Sequence, residues 1–111
     1  MITYIELWKA KQTWINLSKS QRGEYMGALG PAIQYLLDNG VKIVSWGSND
    51  ALTFNKIDYD YFAVWTFPTI SSAKDFEQMV EGAGWYNYFD QVNTMGTAAG
   101  PQEVIEHMIN L

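Results

Sequence analysis

The chain reads as one α+β domain with the order strand, helix, strand, strand, helix, strand, and three observations predict it. The first is a segment, Asp58 to Phe67, whose two alternating side-chain sets are both largely apolar or aromatic. A strand that hides both faces must be sandwiched. The second is an opening segment, Ile2 to Lys9, of the same kind, with Tyr4, Glu6 and Trp8 on one face and Ile5 and Leu7 on the other. The third is size: 111 residues suffice for one core but not two, so residues 1–111 are expected to form a single domain.

The first strand is predicted over about Ile2 to Lys11. Ser18 followed by Gln21 is a capping-box arrangement, and Met26, Leu29, Ile33, Leu36 and Leu37 recur at helical spacing behind it. Gly23, Gly27 and Gly30 form a smooth stripe beside that face, which predicts either close approach of the helix to the sheet or a cavity there. Pro31 removes the hydrogen bond to the Gly27 carbonyl, so a kink or break is expected near Gly30. Gly40 supplies a left-handed stop, and Val41 to Trp46 reads as the second strand. Gly47 to Ile57 is a long irregular connection into the third strand. Pro68 ends that strand, and Ser71 or Ser72 caps a second helix with Ala73, Phe76, Met79 and Val80 on one side. Gly82 and Gly84 break it. Trp85, Tyr88, Phe89 and Val92 then fall at i, i+3, i+4 and i+7, which predicts a short amphipathic helix over residues 85–94, followed by a loop to Pro101. Gln102 to Leu111 fits a last strand, from its run of β-branched and apolar residues, or a short helix opened by Pro101; the strand is preferred. The resulting order is the split βαβ pattern of ferredoxin-like folds with a four-stranded antiparallel sheet. Helices can cover one face of such a sheet. A second copy of the chain is expected on the other, which makes a homodimer the predicted assembly.

On this element order, the doubly apolar strands and the passage YFAVWTFPTISSAKDFEQM from Tyr61 to Met79, the chain resembles the dimeric α/β-barrel superfamily, which includes antibiotic-biosynthesis monooxygenase-like and stress-responsive barrel proteins. The resemblance implies two sheets packed across a two-fold axis, and a ligand pocket in each subunit between sheet and helices. Haem-degrading members pair a barrel tryptophan with a helix-borne histidine. Trp65 matches the first, but neither Ser18 to Asn39 nor Ser71 to Thr94 contains a histidine, so no haem or other cofactor is expected. Cofactor-free monooxygenase-like members act on aromatic or polyketide-like compounds with tryptophan, tyrosine and asparagine. Those residue types are abundant here without a motif that fixes them.

Composition narrows the partners. Seven basic against twelve acidic residues leave a formal charge of −5 without any basic cluster, which argues against nucleic acid and anionic membrane surfaces. No cysteine occurs, so disulfides, thiolate metal sites and a cysteine nucleophile are excluded. Asp50, Asp58 and Asp60 match no calcium-loop spacing, and no metal site is expected. The amino terminus has no basic head and apolar run, and no apolar stretch approaches the roughly 18 residues of a membrane span, so a cytoplasmic setting is expected.

The residues that carry possible chemistry are few. Tyr4 and Trp8 on the first strand and Tyr61 and Trp65 on the third are expected to wall an aromatic pocket for a small apolar or aromatic ligand. Glu6 lies between the first pair, and a carboxylate in so apolar a strand is the sharpest oddity of the sequence. Burial raises such a group toward the range of a general base. His107, the only histidine, is the second catalytic candidate if the last strand flanks the first. Three functions compete: small-molecule binding or a stress-type role, cofactor-independent monooxygenase-like catalysis, and a structural or interaction module.

Overall fold

The computed structural model describes residues 1–111. It contains strands β1 (Ile2–Ala10), β2 (Lys42–Ser48), β3 (Tyr61–Phe67) and β4 (Phe89–Thr97), and helices α1 (Gln12–Ile15), α2 (Lys19–Ala28), α3 (Gly30–Asp38), α4 (Ile70–Gly82) and α5 (Pro101–Ile109). The strands form one open antiparallel sheet in the order β2-β3-β1-β4. No helix is long and apolar enough to cross a membrane.

Register fixes the two faces of the sheet. Tyr4 pairs with Trp65 and Met95, Glu6 with Ala63 and Asn93, and Trp8 with Tyr61 and Gln91. Directly opposed residues share a face, so these side chains form the front, which meets α3 and α4. The core is here: Ile2, Tyr4, Trp8, Ala63, Trp65, Phe67 and Phe89 from the sheet pack with Leu36, Val41, Ala73 and Phe76. The back carries Thr3, Ile5, Leu7, Phe62, Val64 and Val92, and none of these is buried. On that face the Phe62 ring lies over Gly47, where an added Cβ would stand 2.6 Å from the ring. Any larger residue there would displace the Phe62 ring.

Local signals explain the helices. Ser18 accepts from the Gln21 amide and Gln21 returns a bond to Ser18, so the predicted capping box starts α2. The break near Gly30 is present, with Leu29 between α2 and α3 and Pro31 in the first turn of α3. Gly40 takes φ +86 beyond the end of α3. The cap of α4 is Thr69, with Ser72 as its reciprocal partner three residues on, in place of the expected Ser71 or Ser72. The glycine stripe makes no close approach: Cβ atoms at Gly23, Gly27 and Gly30 would meet nothing within 4 Å.

Three expectations fail in the C-terminal third. Residues 85–94 are not an amphipathic helix but a single 3-10 turn, Trp85–Asn87, running into β4. The loop expected from Thr94 is therefore the second half of a strand. The segment from Gln102 is not the last strand but helix α5, opened by Pro101 with Glu103 in its first turn. The cause is shared: β4 takes the edge beside β1 over nine paired positions, so no place there remains for the final segment. Helix α5 buries no residue, and the radius of gyration is 16.0 Å, against about 13 Å for a compact chain of this length.

Candidate functional site

Between the front face and the helices lies a cavity of about 80 Å³. Leu29, Ala32, Ile33 and Leu36 form its wall at α3, while Phe76, Met79, Val80 and Ala83 form the wall at α4. The sheet contributes Glu6, Trp8, Trp46 and Trp65, and Trp85 from the 3-10 turn closes one side. Of thirteen lining residues twelve are apolar, so the whole polarity of the chamber rests on Glu6. Four of the five tryptophans of the chain stand around it. They touch edge to face in series, Trp85 with Trp8 at 6.0 Å, Trp8 with Trp46 at 5.6 Å and Trp46 with Trp65 at 5.6 Å between ring centroids, a favoured geometry for aromatic pairs.

Glu6 is 6% exposed and held at both oxygens. The Trp65 indole N–H donates to Oε1 at 2.7 Å, and Gln91 Nε2 donates to Oε2 at 2.7 Å. The Trp85 indole N–H donates to Gln91 Oε1 at 2.7 Å, and Gln91 Nε2 also donates to Asn93 Oδ1 at 2.8 Å. An indole can only donate, so Trp85 fixes the orientation of the Gln91 amide and turns its NH2 toward Glu6. No buried side-chain polar atom lacks a partner. Burial pushes the Glu6 carboxyl up from its ordinary value, and the Trp65 and Gln91 hydrogen bonds only partly oppose that rise.

The residues singled out from sequence separate. Trp8, Trp65 and Glu6 line the cavity. Tyr4 is buried just outside it, packed edge-on against Phe67 and Phe76, with its hydroxyl donating to Glu77 Oε2 at 2.8 Å. Burial and that carboxylate hold its phenol far above the ordinary tyrosine range. Tyr61 is 41% exposed and rests beside Trp8 without reaching the chamber. His107 lies on exposed α5, a different place from the expected strand beside β1, and it makes no hydrogen bond to Glu6. Asp58 pairs with Lys9 at 2.9 Å, and no three potential metal-ligating side chains come together.

Gln91, Asn93 and Trp46 escaped the sequence reading. No signal for the first two was available, since Gln91 and Asn93 interrupt the apolar alternation between Phe89 and Met95 that would mark a strand.

The model of a family of unknown function, DUF6616, matches residues 1–111, and the chain belongs to that family. No curated protein matches it. Among solved structures it is similar to the crystal structure of At3g17210 from Arabidopsis thaliana, with a TM-score of 0.62 and 11% identity over 90% of this chain and 97% of that one. At that identity the likeness is one of fold.

Proposed function

We propose that this family member is a small-molecule-binding protein that holds a compact, largely apolar ligand in the chamber between its sheet and α3 and α4. One observation carries the reading: a core otherwise filled by interlocking aromatic rings leaves open a chamber walled by twelve apolar residues and a single carboxyl. Ligand sites are commonly of this composition, apolar with few polar groups that set orientation. The tryptophan ring gives the test its own reporter. Small aromatics such as indole or toluene are expected to perturb tryptophan fluorescence saturably, and Ala32→Phe, which fills the chamber, is expected to abolish the response. An unchanged response in that variant removes the chamber as the site.

A second reading has its own support in Glu6. A carboxyl with a raised proton affinity, in an aromatic chamber, suits a general base in a cofactor-independent reaction on an aromatic compound. Glu6→Gln then eliminates any turnover found with the chain; retained turnover removes Glu6 from that role.

We further infer a homodimer of the ferredoxin-like α/β-barrel kind in the cytoplasm, two copies meeting through the backs of their sheets. Strand order, the fold shared with the plant protein and the only half-buried Ile5, Leu7, Phe62 and Val64 support it. Sedimentation at micromolar concentration tests it, with a single-copy mass as the contrary result.

A further inference from the structure

The carboxyl of Glu6 is enclosed without a counter-charge. No lysine, arginine or histidine lines the chamber. Both of its donors, Trp65 and Gln91, are neutral. A donor on each oxygen is the arrangement a carboxylate needs, whereas a carboxylic acid would require an acceptor for its proton, and the apolar lining offers none. Neutral dipoles compensate a buried charge only in part, because removing an ion from water costs far more than hydrogen bonds return. What lines the chamber beside Glu6 is equally specific: four indoles, Trp8, Trp46, Trp65 and Trp85. Tryptophan has the most attractive ring face for a cation of any side chain. The −5 net charge of the chain also favours the approach of positive ligands.

We propose that the chamber binds a small organic cation of the alkylammonium class, whose positive nitrogen supplies the missing counter-charge to Glu6 and whose apolar substituents lie against the tryptophans. This rests on the reading of the chamber as a small-molecule site and names the chemistry of its ligand. The aliphatic walls from α3 and α4 accept the ligand's hydrocarbon part. The indoles meet the nitrogen, and the carboxylate behind its two donors attracts it through space. A quaternary ammonium needs no hydrogen bond from the chamber, so heavily alkylated nitrogen suits an apolar lining that shows it indole rings and no free acceptor.

The test compares choline with the uncharged alcohol in which carbon replaces its nitrogen, by calorimetry and tryptophan fluorescence on the full chain at low salt. Choline is expected to bind at least about tenfold more tightly than its isostere. Glu6→Gln is expected to remove that preference. Trp46→Leu guards against a folding defect at Glu6, since Trp46 sits on an edge strand and is 47% exposed; it is expected to weaken choline several-fold and the isostere less. Equal affinities for the two probes, or a preference that survives in Glu6→Gln or is unaltered in Trp46→Leu, overturns the proposal. Binding of the isostere without choline overturns the cation while leaving the apolar chamber standing. Binding of neither probe, with indole and toluene also inert, sinks both readings.

Discussion

The two faces of the sheet are made by the same strands from alternating residues, yet they end in opposite conditions. On the front of β1 and β3, Tyr4, Trp65 and Phe67 are 1%, 2% and 0% exposed. On the back, Ile5, Leu7, Phe62 and Val64 are of comparable apolarity, and none of them is buried. Hydrophobicity in a strand therefore does not state where its free energy is realised. The front acts in folding of one copy, because helices lie over it. The back contributes to that folding only weakly, because nothing in the chain covers it.

The comparison breaks most visibly at its best-buried point. Trp65→Ala removes the largest fully buried side chain, its contacts with Phe67 and Phe76, and a donor to Glu6. A loss of about 3–5 kcal/mol is expected in chemical denaturation, and a loss below about 1 kcal/mol would contradict the assignment of the front as the core. Val64→Lys, one residue away and facing the other way, is expected to alter the stability of a single copy by less than about 1 kcal/mol. If two copies meet through this face as proposed, its effect is on assembly: sedimentation is expected to show dissociation at least about tenfold easier, since the lysine would be forced into an apolar contact. If Val64→Lys associates like the wild type, the back face is not the contact.

A third measurement sharpens the front alone. The folded-state Glu6 carboxyl binds its proton more tightly than the unfolded chain does, whose ordinary value is 4.5. Between that value and the raised one, the folded state carries more protons. Stability from this group is thus complete below the unfolded value and is lost as pH rises through the folded one. Melting temperature is expected to fall over that window in the wild type and to fall less in Glu6→Gln; parallel profiles would show that Glu6 does not titrate there. Saturating choline, by holding the carboxylate form, is expected to flatten the wild-type slope.

Most of β1, β3, α2 and α4 was legible in the sequence because each signal was local: alternation, a Ser18–Gln21 cap, the stops at Gly40 and Pro68. The chamber was half legible, through Glu6, Trp8 and Trp65. The rest was hidden by its own chemistry. Gln91 and Asn93 share the front face of β4, where Gln91 donates to Glu6 and Asn93 accepts from Gln91. Two inward polar residues erased the apolar alternation that announces a strand, and the chance helical spacing of Trp85, Tyr88, Phe89 and Val92 stood in its place. A polar network built between strands leaves no pattern within either strand. Tyr4 misled for a related reason: its parity was right, but Glu77 on α4 draws its hydroxyl away from the chamber. Once β4 was missed, the fourth place in the sheet fell to Gln102 to Leu111, although Pro101 and Glu103 are a helix opening.

That last segment supplies the smallest expected effect. Helix α5 presents Val104, Ile105, Met108 and Ile109, which are 48%, 47%, 56% and 74% exposed, and none of its residues is buried. Nine residues of isolated helix are marginal in water, where nucleation outweighs so few hydrogen bonds. Its apolar stripe is therefore, like the back of the sheet, surface that its own chain leaves uncovered. Ending the chain at Gly100 is expected to change the unfolding free energy of Val64→Lys, at a dilution where it sediments as a single copy, by less than about 0.5 kcal/mol. In the wild-type background the same truncation is expected to weaken association measurably in sedimentation. A large loss in the single-copy background would mean that α5 packs on its own chain, and the contrast between the two faces would then lose its back half.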